Sequence, residues 1–485
     1  MLDAIEVKLF GHSVGALIWN SSQNATVFRF YKDFLKLGLD VAPLLIPLQS
    51  IDSDKTYSFI PDNEHDRQVY KGLPAFIADS LPDSFGNKVI DEWLSRQGRA
   101  SGSFSILERL CYTGERGIGA LEFYPPATTR EQITDIDIKH LVQLAQEVFT
   151  SRANFSVNYN KDVAAMRDII KVSVSAGGAR PKAVIAYNEA TGEIKSGQLA
   201  QTPKDFQHWL IKLDGVTQSA ELGLSTGMGR VEYTYHLMAK DCGIDMAESR
   251  ILEEGGRAHF MTRRFDRPGN GEKLHLQTLN AIAGMNYSLK YSFSYEHVFS
   301  VLRQLNLSHS VAEQFFRRIV FNVVSKNCDD HTKNISFLMD KTGRWSLSPA
   351  YDVSYAYDPT GMWNQDHFLS INGKYENFKY ADIEKLAKEQ RIKNYKEIIE
   401  QVYEVVSRWP EYAMAVGVDD KIAAGIGKTH EVQAIQQTKP ALHVSRAISF
   451  PLDSKVKKTS LLEKASKIPN KENRDTLKNK GQKLN

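Results

Sequence analysis

Cysteine is scarce: the 485-residue chain has three, Cys111, Cys242 and Cys328, widely spaced and without a CxxC pair. That scarcity excludes a disulfide framework and a cysteine-based zinc site, and it predicts a reducing compartment, the cytoplasm. Long apolar runs are also missing. The nearest, residues Val41 to Leu48, is interrupted by Pro43 and Pro47 and falls far short of the roughly 20 residues that span a bilayer, so no membrane partner is expected. The first residues carry Asp3 and Glu6 where a secretion signal needs basic side chains, and they read as a strand. No charge sign dominates, with 61 Lys and Arg against 58 Asp and Glu. The balance is uneven, however: residues 451–485 hold ten basic and four acidic side chains, +6, which leaves the rest of the chain at −3. With few apolar anchors, that segment reads as a basic, disordered tail.

What is present is a β-rich first half and a helical second half. Short strands at Ala4–Phe10, Val14–Trp19 and Ala25–Phe30 are separated by polar turns. A helix is expected to run from about Ser84 to Arg96, and another to end near Thr150. After Leu274 the pattern predicts helices over Leu276–Ala283, Tyr295–Leu305, Ser310–Ser325, Tyr380–Glu389 and Tyr395–Trp409. The expected fold class is α+β, a bilobal protein-kinase-like fold with a β-rich N-terminal region and a mostly helical C-terminal lobe. The expected division is 1–125, 126–267, 268–450 and the tail 451–485.

The stretch from Asn327 to Asp352, NCDDHTKNISFLMDKTGRWSLSPAYD, carries the chemistry. Strand-like Ile335–Met339 and Arg344–Ser348 flank the polar turn Asp340-Lys341-Thr342-Gly343. Antiparallel pairing about this turn places Asn334 opposite a residue near Pro349, so Asp329, Asn334 and Asp352 meet at one end of a hairpin. Phosphoryl transfer of the kinase type uses such a set: an Asp to accept the hydroxyl proton, an Asn five residues on to bind one Mg²⁺, and a later Asp to bridge metal and phosphates. A bare Asp-x-x-x-x-Asn pair is expected about once by chance in a chain this long. The hairpin and its terminal Asp raise this one above chance.

Two earlier stretches fit the same chemistry. Ala176-Gly177-Gly178-Ala179 lies between the strand-like Ile169–Ser175 and Ala183–Tyr187, the strand–loop–strand shape that lays backbone N–H groups over phosphates. Lys212 interrupts the apolar run Trp209–Leu213 and requires an anionic partner, which Glu232 at the start of a helix can supply. Each has a plainer reading, a simple hairpin and a snorkelling edge lysine.

Together the segments LPAFIADSLPDSFG, GERGIGALEFYP, SVSAGGARPK, LIKL, RFDR, NCDDHTKN, LSPAYDVS and LSINGK resemble the HipA-like serine/threonine kinases, toxins of bacterial toxin–antitoxin modules. The likeness runs from about Leu2 to about Ser445. It implies ATP and Mg²⁺ as cofactors, Asp329 as the catalytic base, and Asn334 and Asp352 as metal ligands. It also places Ala176, Gly177, Gly178, Ala179, Lys212, Phe265, Asp266, His331, Asn334 and Asp352 around ATP, with Glu232 as the supporting ion-pair partner and Lys333 supporting the catalytic loop. Ser175 matches the serine whose autophosphorylation ejects the phosphate loop; its place at a strand end directly before the glycines ranks it above Ser173. Two positions depart from the family pattern: Arg263 replaces the Glu that usually precedes RFDR, and Asp330 stands where some members have Gly.

The resemblance implies a growth-inhibiting kinase acting on a translation-linked protein such as an aminoacyl-tRNA synthetase, partnered by a helix-turn-helix antitoxin and reaching DNA through it. The alternatives are a co-repressor that binds such an antitoxin on operator DNA with little catalysis, and a small-molecule or lipid kinase, because the metal-binding set does not name the acceptor.

Overall fold

The structure is a computed structural model, and it describes residues 2–96, 98–100, 102–126, 135–150, 180–197, 201–216, 226–361 and 363–439. The expected phosphate loop Ala176–Ala179, Ser173, Ser175 and the basic tail lie outside the described residues.

Among the described residues, three antiparallel sheets organise the chain. The first has the order β4-β3-β2-β1-β5, with β1 Ala4–Leu9, β2 His12–Asn20, β3 Ala25–Phe30, β4 Tyr57–Ser58 and β5 Leu121–Tyr124. Strict alternation builds it: Ile5, Val7 and Leu9 point inward and are buried, while the intervening side chains stay accessible. Its inner face packs on Phe76 and Ile77, and on Leu107 and Leu110 of the helix Ile106–Thr113. That helix begins in a reciprocal capping box between Ser105 and Glu108.

The second sheet, ordered β7-β6-β8-β10-β9, contains β6 Lys182–Asn188, β7 Ile194–Ser196, β8 Phe206–Lys212, β9 Ser249–Glu254 and β10 Arg257–Arg263. Every residue of β6 is buried because both faces are covered. On one side Ile185, Trp209 and Ile211 meet Phe85, Val89 and Leu141 from the helices Ser84–Arg96 and Ile138–Thr150. On the other, Ile251, Ala258 and Phe260 meet the helix Met228–Asp241. Gly229 permits this approach, since a Cβ there would collide with the Ala258 carbonyl oxygen.

The third sheet, β11 His275–Thr278, β12 Ser336–Met339 and β13 Trp345–Leu347, sits inside the helical half. The expected helix over Leu276–Ala283 is corrected here: His275–Thr278 is a strand, and only Leu279–Ile282 is helical. Its apolar pattern suits either state, and pairing with β12, Leu276 opposite Leu338, decides the matter. The remaining long helices fall within about two residues of expectation: Tyr295–Gln304, His309–Ser325, Tyr380–Glu389 and Tyr395–Ser407. The central one, His309–Ser325, buries Phe315, Phe316, Ile319, Val320, Val323 and Val324. Among the described residues, no helix is long and apolar enough to cross a membrane. The architecture is α+β and kinase-like, as expected.

The first sheet's unit also braces the back of the third sheet. Met339 belongs to its core. Trp345 Nε1 donates to the Asp40 carbonyl at 3.3 Å, and Asp79 accepts from both the Thr278 N–H and hydroxyl at 2.8 Å.

Candidate active site

The catalytic loop begins where the helix His309–Ser325 stops. Lys326 takes a left-handed conformation, φ +57°, and the N–H groups of Lys326 and Asn327 both turn back to the Asn322 carbonyl. The chain then runs beside residue 356: Cys328 N–H donates to the Ala356 carbonyl, and Ala356 N–H to the Lys326 carbonyl, both at 3.2 Å. This short parallel pairing carries the Asp352 segment alongside Asp329. The β12–β13 hairpin supplies the second constraint. Phe337 pairs with Leu347 and Met339 with Trp345, the turn is closed by the Asp340 side chain accepting from the Thr342 N–H at 2.8 Å, and Asn334 comes opposite the Pro349–Ala350 region. Tyr351 staples the two ends, its hydroxyl donating to the Lys333 carbonyl at 2.7 Å and bonding to Ser336.

Asp329, Asn334 and Asp352 line one cavity. The Asn334 carboxamide N–H donates to the Asp329 carbonyl at 2.7 Å, which fixes the loop, and among the described residues nothing donates to its amide oxygen. Asp329 keeps 44% of its side chain exposed, with His331 Nε2 3.5 Å from its carboxylate. His331 therefore stands beside the carboxylate expected to act as base, while Lys333 places its ammonium 4.5 Å from the centre of the Tyr287 ring.

Lys212 ends β8 and reaches both lobes. Its Nζ is 2.5 Å from Glu232 Oε1 and also pairs directly with Asp352. Glu232 is held in place because Asp214 accepts from the Gly227 N–H at 2.9 Å, pinning the start of its helix, and from the Ala258 N–H on β10. Burial pulls the Lys212 ammonium down, but the Asp352 and Glu232 carboxylates outweigh it and leave the group above its ordinary value. At Glu232 burial dominates and raises the carboxyl, with Lys212 opposing. Burial also acts to raise Asp352, but Lys212 and Lys182 overcome it and hold this carboxyl well below the usual range.

The second lysine, Lys182, was not anticipated. It stands directly across from Lys212 in the β6–β8 register, is 2% exposed, and lies 3.7 Å from Asp83. Arg180, just before it, comes within 3.8 Å of Glu232. Lys182 and Lys212 thus project side by side from adjacent strands. The cue in the sequence was a lysine opening a wholly apolar strand; what it lacked was the register that pairs residues 182 and 212.

Asp266 takes a different part from the one expected. Its carboxylate accepts from Arg264 at 2.7 and 3.0 Å, from Arg267 at 2.8 Å and from the Gly119 N–H at 2.8 Å, and it is 4% exposed. The two guanidiniums continue to the Gly117 and Gly119 carbonyls. This side chain joins the second sheet to the GERGIGAL segment, with its oxygens committed to protein donors instead of to ATP. Neighbouring Phe265 packs at 5.6 Å on Tyr351. Arg263 finds a carboxylate in Glu248, 3.0 Å away. Asp330 is buried, accepting from Tyr295, from the Phe368 N–H at 2.7 Å and from His367 Nδ1 at 2.9 Å.

A β-sheet lysine paired with a helical glutamate, set over a hairpin that carries an Asp, Asn and Asp, defines a protein-kinase-type fold. Sequence comparison supplies the family. Residues 5–124 match the HipA N-terminal domain and residues 174–409 the HipA-like C-terminal domain; the chain belongs to the HipA-like kinases. A serine/threonine-protein kinase toxin HipA from Shewanella oneidensis is 20% identical over 411 residues, covering 78% of this chain and 81% of that protein. A Haemophilus influenzae protein described as a kinase is 27% identical over 136 residues, 25% of this chain, and the match spans only 39% of that protein. Among solved structures, HipA in complex with HipB and operator DNA from Shewanella oneidensis aligns with a TM-score of 0.60 at 17% identity, covering 90% of this chain and 96% of that one. That likeness concerns the fold.

Proposed function

We propose that the protein is a Mg·ATP-dependent serine/threonine kinase acting on a protein acceptor, silenced by autophosphorylation at Ser175 and by an antitoxin. The observation that carries the proposal is Lys212, held between Glu232 of one lobe and Asp352 of the other. An ammonium clamped by two carboxylates at the lobe junction is a phosphate contact in waiting, with Lys182 as a second cation beside it.

Asn334, through its amide oxygen, and Asp352, through the carboxylate oxygen not facing Lys212, present hard oxygen donors that suit Mg²⁺. Held there, Mg²⁺ would supply positive charge to offset that of the phosphates. Asp329 takes the proton from the acceptor hydroxyl as that oxygen attacks the γ-phosphorus, and the bond to the β–γ bridging oxygen breaks to release ADP. Glu232 keeps the Lys212 ammonium aimed at the phosphates. Asn334 keeps Asp329 in place through its backbone carbonyl.

A phosphoryl group on Ser175 adds about −1.5 to −2 charges next to the expected phosphate loop, where it competes with ATP for the same N–H groups and for Lys212. The family supports a HipB-like antitoxin as partner and, through it, contact with DNA. The deciding experiment incubates the protein with γ-labelled ATP and Mg²⁺ and maps the label by mass spectrometry. Label on Ser175 and on serine or threonine of an added protein, absent from Asp329→Ala, is the expected result. Failure to bind Mg·ATP, or undiminished label in Asp329→Ala, overturns the reading.

A further inference from the structure

Among the described residues, little holds the Asp329 side chain directly. Its carboxylate is 44% exposed, with His331 Nε2 at 3.5 Å, and Asn334 grips its backbone carbonyl. The direction in which the carboxylate points is therefore set by the chain on either side. Before it, Asn327 is bound twice to Asn322: its N–H donates to the Asn322 carbonyl and its carboxamide N–H to the Asn322 side-chain oxygen, both at 2.9 Å. After it, buried Asp330 accepts from the Tyr295 hydroxyl. Tyr295 closes the circuit, because its oxygen also accepts from the Asn322 carboxamide at 3.2 Å.

The ring Asn327–Asn322–Tyr295–Asp330 thus spans Asp329 from both ends, and all four residues line the cavity of about 40 Å³ that holds Asp329. A second route reaches the same carboxylate through the segment after residue 366. The other Asp330 oxygen accepts the Phe368 N–H at 2.7 Å, which fixes the Phe368 backbone. The Phe368 ring meets His331 edge-on at 6.2 Å, and His331 is the neighbour of the Asp329 carboxylate. A buried, paired carboxylate is a weak source of stability; its better use is to hold one arrangement against others.

Resting on the kinase reading, we propose that Asp330 is a positioning residue for phosphoryl transfer, acting through Tyr295 and Phe368 to aim the Asp329 carboxylate at the acceptor hydroxyl. Being 3% exposed, it acts through its neighbours and not on a ligand. Freed from these links, Asp329 keeps its chemistry but loses its direction, and a displacement of about 1 Å at a reacting group can lower a rate roughly 100-fold. The nucleotide contacts expected of Lys212 and Asp352 are made outside the ring, so affinity for Mg·ATP is kept.

The test measures, for the full chain and its variants, the initial rate of self-labelling from saturating γ-labelled Mg·ATP, the affinity for Mg·ATP by calorimetry, and the folded fraction by thermal denaturation. Asp330→Ala is expected to lower the saturated rate about 100-fold. Tyr295→Phe, which leaves the Phe368 link, should lower it about tenfold, with Mg·ATP affinity within about twofold in both. Asp330→Asn should regain most of the rate, since a carboxamide can accept the Phe368 N–H and donate to the Tyr295 oxygen without the charge. In the Asp330→Ala background, Tyr295→Phe should cost nothing more. Tyr295→Phe and Asp330→Asn are close in shape to the residues they replace, so the test stands even if Asp330→Ala fails to fold. Undiminished rates in Asp330→Ala and Tyr295→Phe, rate and Mg·ATP affinity lost together, or losses that multiply in the double variant each overturn the positioning role and leave the kinase reading standing. Asp330→Asn as slow as Asp330→Ala assigns the effect to the charge and not to the links, and also overturns it. Absence of any label transfer by the unmodified chain removes the kinase reading and this inference together.

Discussion

Two buried ionic clusters sit at junctions between parts of this molecule, and they are built to opposite rules. At Asp266, one carboxylate accepts four hydrogen bonds from two guanidiniums and a backbone N–H, and the guanidiniums spend further donors on Gly117 and Gly119. Burial raises its carboxyl, and Arg264 and Arg267 overcome that to leave it well below the usual range. At Asp352, the carboxylate has Lys212 as its ion-pair partner and stays 28% exposed, and its backbone is held in the left-handed region, φ +53°. The first carboxylate already accepts four hydrogen bonds at 4% exposure and presents no face to a ligand. The second has an uncommitted oxygen, a lysine that can exchange a carboxylate for a phosphate, and a strained backbone of the sort found at working sites. Saturation marks a joint between parts, and incomplete pairing marks a site.

The comparison predicts that stability and activity separate. The largest effect falls on activity: Asp329→Ala is expected to lower phosphoryl transfer by a factor of about 100 to 10,000. Its melting temperature should hardly move, because the side chain is half exposed and touches little beyond His331. Thermal denaturation alongside a label-transfer assay checks both. Asp266→Asn should do the reverse, leaving two guanidiniums buried without their counter-charge at a cost of about 3–5 kcal/mol, read as a lowered denaturant midpoint. Mg·ATP affinity in the folded fraction should persist. Loss of nucleotide affinity without loss of stability would return Asp266 to the nucleotide.

What the sequence made legible divides along similar lines. The hairpin from Ser336 to Leu347 could be read because alternation and the Asp340–Gly343 turn are local signals. Lys212 and Glu232 could be paired because a lone lysine in an apolar strand demands an anion. Asp266 was misplaced because RFDR reads the same whether its carboxylate faces a ligand or its own arginines. Lys182 and Asp83 were missed because they meet across about a hundred positions, and because the register with Lys212 joins strands about thirty positions apart. The strand His275–Thr278 was read as helix because its partner β12 comes some sixty residues later. Asp330 could not be resolved at all, since its three partners come from two distant segments.

Asp352→Asn sharpens the contrast at intermediate size. It removes the counter-charge from Lys212, but Glu232 remains 2.5 Å away, so the stability cost should be about 1–3 kcal/mol, below that of Asp266→Asn. Mg·ATP binding should be largely lost, measurable by calorimetry. If the two variants lose equal stability, the distinction between a saturated joint and an open site fails here.

The smallest effect, taken per pH unit, concerns a third buried pair, which ties the catalytic loop to the segment after residue 366. His367 meets Asp330 through Nδ1, and its positive charge depends on that carboxylate with Cys328 beside it. Burial alone would lower the imidazole; Asp330, aided by Cys328, raises it to about 10. The neighbouring groups are Tyr295, which shares Asp330, and the Phe378 ring at 5.4 Å. A histidine whose folded value lies above its unfolded value of about 6.5 contributes stability that is fully present below that pH and is lost as pH rises toward 10. Over that window the folded state holds a proton that the unfolded state has released, so stability should fall by up to about 1.4 kcal/mol per pH unit. His367→Gln should remove this component of the slope between pH 7 and 9, leaving other titrations unchanged. Denaturant unfolding at several pH values compares the two proteins, and matching slopes would mean that the imidazole is neutral and that Asp330 is held by Tyr295 and the Phe368 N–H alone.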